Sequence, residues 1–111
     1  MTTTTIIINE QHSLLASQRT LLEENFGSWN TILVPAEGWN REEQENVYKN
    51  LTGIIIFISP IPYLIKLSAI SMATNGTITN CFVMANDRRE KKELPNGKVI
   101  FTVAKEGWYL A

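Results

Sequence analysis

The sequence predicts a single α/β domain, residues 1–111, built around a mainly parallel sheet. Apolar, β-branched runs alternate with segments of helical periodicity along most of the chain. Five consecutive apolar residues at 54–58 stand between Gly53 and Ser59, a pattern typical of a strand covered on both faces. A length of 111 residues with 44% hydrophobic content suits one domain with one core.

Each element follows from a local pattern. The patterns predict strand one over residues 2–8, helix one over 11–26, strand two over 29–35, helix two over 40–52, strand three over 53–59, helix three over 59–73 and strand four over 78–85. Asn40 is the expected N-cap of helix two, because Glu42 and Glu43 occupy its first turn. Ser59 is the expected N-cap of helix three, with Pro60 at its first position.

The C-terminal region predicts a β-hairpin. Residues 93–103 bracket Pro95-Asn96-Gly97, a turn with a proline and a glycine able to adopt positive φ. We expect this hairpin to add an antiparallel edge to the sheet. With about four strands and three helices joined by right-handed crossovers, the order of elements predicts a Rossmann-like arrangement.

Charge and cysteine content limit the partners. Ten Lys and Arg against eleven Asp and Glu give a net charge of -1, which disfavours duplex DNA and anionic membranes as partners. No apolar run reaches the ~20 residues of a membrane span. The single cysteine and the absence of a leader pattern favour the cytoplasm. A domain this small gains from burying a further surface, so we expect a homodimer with the apolar helix three as its interface.

Polar residues after the strands form the predicted site, because ligands of such sheets bind beyond the carboxyl ends of the strands. They are Asn9, His12, Trp39, Ser59, Asn86, Asp87, Arg88 and Arg89. Each has a structural alternative: Asn9 or Ser59 as a helix cap, Asp87 as an ion-pair partner of either arginine, and Trp39 as a plug at the end of the sheet.

The chemistry of these residues suits an anionic ligand. His12, the one histidine, offers a base or a ligand contact, although such a residue is more often a surface group. Ser59 and the amides that follow it suit a phosphate, Arg88 and Arg89 suit bidentate contacts with one, and Trp39 suits stacking on a base. No second histidine or further cysteine supplies metal ligands, and no dinucleotide, P-loop, serine-hydrolase or CxxC motif is present, so neither a metal nor a cofactor is expected.

Two short motifs resemble a known family. Asn9-Glu-Gln-His-Ser-Leu-Leu-Ala-Ser-Gln18 is similar to the opening of the small CRISPR-associated ring nucleases of type III systems, where a histidine, a leucine and a glutamine follow the first strand. Ile58-Ser-Pro-Ile-Pro62 resembles the proline-containing strand end of the same proteins. The likeness covers most of the chain in the order of its secondary-structure elements, but only these two motifs in amino-acid identity.

The resemblance implies a Rossmann-like homodimer that binds cyclic oligoadenylate, such as cyclic tetra-adenylate, and cuts it without a metal to end an antiviral signal. Asn9 and His12 would then orient or deprotonate a ribose 2′-hydroxyl. Ser59 would hold a phosphate oxygen, and Arg88 or Arg89 would offset its charge.

Two other functions remain open from the sequence. One is a non-catalytic module that binds a nucleotide or a partner protein through the same edge of the sheet. The other is a nucleoside-processing transferase, which would need an acidic nucleophile such as Glu37 or Asp87.

Overall fold

The computed structural model describes residues 2–111. In chain order, the elements of this part are β1 (Thr4–Asn9), α1 (Ala16–Phe26), β2 (Asn30–Val34), α2 (Arg41–Tyr48), β3 (Gly53–Phe57), α3 (Pro62–Ala73), β4 (Ile78–Ala85), β5 (Arg89–Glu93), β6 (Val99–Val103) and β7 (Tyr109–Leu110). The predicted α/β class with three helices and a mostly parallel sheet is confirmed. No helix within the described residues is both long and apolar enough to cross a membrane.

The main sheet has five strands in the order β2-β1-β3-β4-β7. β1 to β4 run parallel, and β7 pairs antiparallel with β4 at the edge. From β1 the chain adds β2 on one side, and β3 and then β4 are added on the other side of β1. The strand order therefore reverses between β1 and β3, which is where ligands of open α/β sheets bind.

Helices cover both faces of this sheet. Leu22 of α1 packs with Ile6, Ile56 and Met84 on one face. On the other face, α2 and α3 cover Ile7, Ile55 and Phe57, and Leu64 of α3 is fully buried there. Neighbouring residues of a strand point to opposite faces, so a strand covered on both sides needs the continuous apolar sequence that β3 has.

The helix α1 begins at Ala16, five residues later than the predicted start at Gln11. The side chain of Asn9 accepts a hydrogen bond from the Gln11 N–H, and the carbonyl of Asn9 accepts one from the His12 N–H. This turn directs the chain away from the sheet before the helix can start. His12 therefore lies in the β1–α1 loop and not in the first turn of the helix.

The predicted caps have opposite outcomes. The Asn40 side chain accepts a hydrogen bond from the Glu43 N–H at 2.8 Å, and the Glu43 carboxylate accepts one from the Asn40 N–H at 3.0 Å, so this cap is confirmed. The Ser59 cap is wrong, because α3 begins at Pro62 with Ile61 as its N-cap. The Ser59 hydroxyl instead accepts a hydrogen bond from the Asn9 N–H.

The predicted hairpin exists, but its placement at the sheet edge is wrong. β5 and β6 form a separate two-stranded sheet, and Gly97 has a φ of 82° in the turn between them. The short β7 occupies the β4 edge, where the N–H of Ala111 donates to the carbonyl of Val83. The predicted sheet of about four strands therefore gains a fifth from the C-terminal residues.

Candidate functional site

A cavity of about 530 Å³ lies beyond the ends of β1 and β3, where the strand order reverses. The β1–α1 loop contributes His12 to its lining, and the segment after β3 contributes Ser59. Val103 of the hairpin and Trp108 complete its apolar wall. The volume is in the range of small-molecule sites. The structure thus brings together two of the predicted site residues, His12 and Ser59, which are 47 positions apart in the chain, around one opening.

Asn9 holds the strand ends together beneath this cavity. Its backbone N–H donates to the Ser59 hydroxyl at 2.9 Å, and its side-chain Nδ2 donates to the Pro35 carbonyl at 3.3 Å. Its Oδ1 accepts from the Gln11 N–H at 2.9 Å. Asn9 therefore connects the ends of β1, β2 and β3 and fixes the loop that carries His12.

His12 and Ser59 both retain capacity for a ligand. The His12 side chain is exposed, and neither imidazole nitrogen has a hydrogen-bond partner within residues 2–111. The Ser59 hydroxyl accepts from Asn9 but keeps its own proton to donate, since a hydroxyl has one donor and two acceptor positions. The pair offers a proton acceptor and a hydrogen-bond donor in one cavity.

Gln18 is a third polar group of the cavity. It was not among the predicted site residues and appeared only as the last residue of the first motif. It is 4% exposed, and its Oε1 accepts a hydrogen bond from the Leu15 N–H at 2.9 Å. Its Nε2 has no hydrogen-bond partner within residues 2–111, and the side chain lines the cavity. Gln18 lies three residues after Leu15, the N-cap of α1, which is the usual position of a capping glutamine. This spacing was the sequence signal that could have identified Gln18.

The two arginines do not line the cavity. The Nη1 of Arg89 donates to the carbonyls of Asn86 and Arg88, at 3.1 and 2.9 Å. The Arg88 side chain is exposed and lies against Gly107, beside Trp108. None of the described residues that line the cavity is Lys or Arg.

Asn86 and Asp87 hold the base of the hairpin. The buried Asn86 amide donates to the carbonyls of Ala104 and Glu106, at 3.0 and 2.9 Å, and accepts from the Arg88 N–H at 3.0 Å. Asp87 accepts a hydrogen bond from the Tyr109 hydroxyl at 2.8 Å. Both side chains thus join the hairpin to the sheet, and neither lines the cavity.

Trp108, and not Trp39, is the tryptophan of the cavity. Trp39 packs against the core beneath α2 and α3. Both tryptophans follow a Glu-Gly pair, and only the position of Trp39 after a predicted strand favoured it. The last residues were not predicted to return to the sheet, so no sequence pattern favoured Trp108.

Other groups fit an anionic ligand poorly. A second cavity of about 390 Å³ also borders Trp108, but Glu24 and Glu106 line it and would repel an anion.

Burial raises the pKa of the Cys81 thiol, which keeps it protonated. Within residues 2–111, no three His, Cys, Asp or Glu side chains lie close enough together to hold a metal ion.

Comparisons with known proteins add no relative to this picture. No model of a protein family, no curated protein and no solved structure matches the chain.

Proposed function

We propose that the cavity beyond β1 and β3 binds cyclic oligoadenylate, with cyclic tetra-adenylate as the substrate, and cleaves it without a metal ion, switching off type III CRISPR antiviral signalling. One observation carries the proposal. The two motifs that resemble ring nucleases are far apart in the chain, yet His12 of the first and Ser59 of the second line the same cavity. The hydrogen bond from Asn9 to Ser59 joins the motifs directly.

The mixture of surfaces in the cavity supports a nucleotide ligand. Ile58, Pro60 and Trp108 provide apolar contact for an adenine, and the aromatic ring suits stacking on a base. Among the polar residues of its lining, His12, Gln18 and Ser59 are the groups that fix a ribose and a phosphate.

The reaction requires positioning and proton transfer. A ribose 2′-hydroxyl attacks the adjacent phosphorus, a new P–O2′ bond forms, and the P–O5′ bond breaks. His12 takes the 2′ proton, and the departing 5′ oxygen receives a proton from water. The products are a 2′,3′-cyclic phosphate and a 5′-hydroxyl. The Ser59 hydroxyl and the Gln18 Nε2 donate hydrogen bonds to the phosphate oxygens. Arg88, which lies outside the cavity against Gly107, would offset their charge only after its side chain turns toward the ligand.

The proposal includes a Rossmann-like fold and a cytoplasmic homodimer. The order of the parallel strands and the helices on both faces support the first. The cytoplasmic location follows from the proposed ligand, since such a messenger is made and destroyed inside the cell. The homodimer follows from the resemblance to ring nucleases.

A non-catalytic nucleotide-binding module is the second candidate. The observation that favours it is the lack of Lys and Arg among the described residues that line the cavity. A phosphodiester bond cleaved there would have little nearby charge to stabilise the transition state, whereas a bound base and ribose need none.

One experiment separates the two functions. Labelled cyclic tetra-adenylate is incubated with the protein in EDTA, and both binding and products are followed. We expect cleavage that survives the chelator and is slowed about 10-fold or more by His12→Ala, the scale of a lost acid or base. Glu42→Ala, at an exposed residue of α2 that does not line the cavity, should leave the rate unchanged.

The role of Arg88 has its own test in the same assay. Arg88→Ala should slow cleavage about 10-fold with binding nearly retained, because it removes charge stabilisation of the transition state. Arg41→Ala, which removes an exposed arginine of α2, is the matched control. Binding without turnover in the wild type would support the non-catalytic module, and neither binding nor turnover would contradict both candidates.

A further inference from the structure

The hairpin of β5 and β6 has two faces that differ in side chains. Directly paired residues of an antiparallel hairpin lie on the same face, and neighbours along a strand alternate between faces. One face therefore holds the pairs Arg89–Val103, Lys91–Phe101 and Glu93–Val99, and the other holds Glu90–Thr102 and Lys92–Ile100. We call the first of these the aromatic face. Its Phe101 is 66% exposed, so an aromatic ring is presented to solvent there.

The pairing of the strands places Lys91 close to Phe101. The Ala104 N–H donates to the Arg88 carbonyl at the base of the hairpin. Hydrogen-bonded and non-hydrogen-bonded pairs alternate along an antiparallel ladder, so Lys91 and Phe101, three positions further along, form a non-hydrogen-bonded pair. Side chains approach each other most closely in pairs of this kind. An ammonium group therefore accompanies the exposed aromatic ring.

Arg89 adds a second cation to the aromatic face. Its Nη1 donates to the carbonyls of Asn86 and Arg88, at 3.1 and 2.9 Å, while its Nε and Nη2 have no partner within residues 2–111. Arg89 and Lys91 are two residues apart on one strand, or about 7 Å. Within β5 and β6, Glu93 is the one carboxylate of this face, and it lies next to the turn. The two cations are therefore adjacent, with the carboxylate beyond them at the tip.

The hairpin and the rest of the chain have charge of opposite sign. Residues 88–105 hold six of the ten Lys and Arg and two of the eleven Asp and Glu, which is an excess of four positive charges. The rest of the chain holds four basic and nine acidic residues, which is an excess of five negative charges. A polyanion is therefore attracted to the hairpin and repelled by the body of the domain.

We propose that the aromatic face of the hairpin binds single-stranded nucleic acid. A base stacks on Phe101, and Lys91 and Arg89 bind the phosphates next to that base. Aromatic rings beside cations suit a single strand, because each base has a face for stacking and each linkage has a charge. A duplex hides the faces of its bases, so it gains only the charge contacts. Val103 of this face lines the cavity, but the binding that we propose is independent of the function proposed for the cavity.

The test is the affinity for labelled linear oligouridylate, measured by fluorescence anisotropy at several salt concentrations. We expect binding at low salt that weakens as the salt concentration rises, since each phosphate contact releases counterions. Phe101→Ala should weaken binding about 10-fold or more, the scale of one lost base stack. Phe101→Tyr keeps an aromatic ring and should retain the affinity.

A matched pair of charge variants tests which face binds. Lys91→Ala and Lys92→Ala remove the same charge from neighbouring, exposed positions on opposite faces. Lys91→Ala should weaken binding and reduce the slope of log affinity against log salt concentration by about 0.7, the value of one phosphate contact with a single strand. Lys92→Ala should leave that slope unchanged. Circular dichroism checks that every variant is folded.

Three outcomes would overturn the proposal. They are a wild type that does not bind oligouridylate, equal effects of Lys91→Ala and Lys92→Ala, and a duplex that binds as tightly as the single strand. Oligodeoxyuridylate distinguishes RNA from DNA as the ligand. Binding of either strand supports the proposal, and a preference for the RNA strand shows that the 2′-hydroxyl is recognised.

A membrane surface is the other polyanion that this face could meet, and vesicles that contain phosphatidylglycerol test it. Binding to the vesicles that depends on Phe101, without binding to the oligonucleotides, would assign the face to a membrane and overturn the proposal. The oligonucleotide probes are linear and contain no adenine. Their outcomes are therefore separate from those of the assay with cyclic tetra-adenylate, and either proposal can fail without the other.

Discussion

β3 and β6 are both five-residue strands of apolar sequence, yet they have opposite surroundings. In β3, Ile55, Ile56 and Phe57 are 0% exposed. In β6, Phe101 is 66% exposed and Val103 48%. An apolar β sequence therefore predicts a strand, while its place in the topology decides whether that strand is buried.

The two strands differ in burial because they differ in the number of neighbouring strands and helices. β3 has a strand on each side and helices on both faces, so every apolar side chain finds contacts. β6 has one neighbouring strand, and a two-stranded hairpin alone is marginally stable in water. The hairpin must therefore depend on its base, where Asn86 holds it, and on the turn that contains Gly97.

The largest expected effect comes from truncating equivalent isoleucines in the two regions. Ile56→Ala should lower the free energy of unfolding by about 2–5 kcal/mol, because it leaves a cavity where the side chain is fully buried. The matched change is Ile100→Ala in β6, where the side chain is 38% exposed. Ile100→Ala should lower the free energy of unfolding by less than half as much as Ile56→Ala does, as measured by urea denaturation. Similar losses at the two positions would mean that the core and the hairpin share one packing environment.

Elements with local causes were predictable from the sequence. β4 has the predicted bounds, Ile78–Ala85, because turn residues flank a run with strong β propensity. The helix cap at Asn40 depends on residues three positions apart and was also predicted correctly. Both signals lie within a few residues of the feature that they specify.

Features with distant causes were not predictable. Ser59 looked like a cap, but its hydroxyl is engaged by the N–H of Asn9, which is remote in sequence. The hairpin looked like an edge strand, but residues 109–110 occupy that edge. For the same reason only part of the lining of the candidate cavity could be predicted: His12 and Ser59 follow strands, whereas Trp108 lines the cavity only because the end of the chain returns to β4.

A smaller effect is expected at the joint between the two regions. Asn86→Ala removes two hydrogen bonds to the carbonyls of Ala104 and Glu106 and one from the Arg88 N–H, leaving buried groups without partners. We expect a loss of about 1–3 kcal/mol, on the scale of one unsatisfied buried group. Amide hydrogen exchange should accelerate in residues 88–105 and remain slow in β1 and β3.

The control for Asn86 is Asn86→Asp, which keeps the acceptor for the Arg88 N–H but removes both donors. It should accelerate exchange in the hairpin at least as much as Asn86→Ala does, since a carboxylate would face two carbonyl oxygens. If neither variant alters exchange in residues 88–105, Asn86 does not hold the hairpin to the sheet.

The smallest effect is a pH dependence at the same joint. The hydrogen bond that Tyr109 donates to Asp87, with the negative charge of that carboxylate, raises the pKa of Tyr109 above its ordinary value of 10.0. A raised pKa means that folding favours the protonated phenol. This contribution to stability is therefore complete below the unfolded-state pKa and is lost as the pH rises through the folded-state pKa.

Tyr109→Phe should accordingly lower the melting temperature slightly at neutral pH, by less than Asn86→Ala does, because the pair is exposed to solvent. The difference from the wild type should shrink as the pH rises above 10, where the wild type also loses the donor. Tyr48→Phe, at a tyrosine whose hydroxyl donates to no carboxylate within residues 2–111, should show no such convergence. A gap that stays constant across this range would assign the effect of Tyr109 to packing of β7 against β4 and not to its hydrogen bond with Asp87.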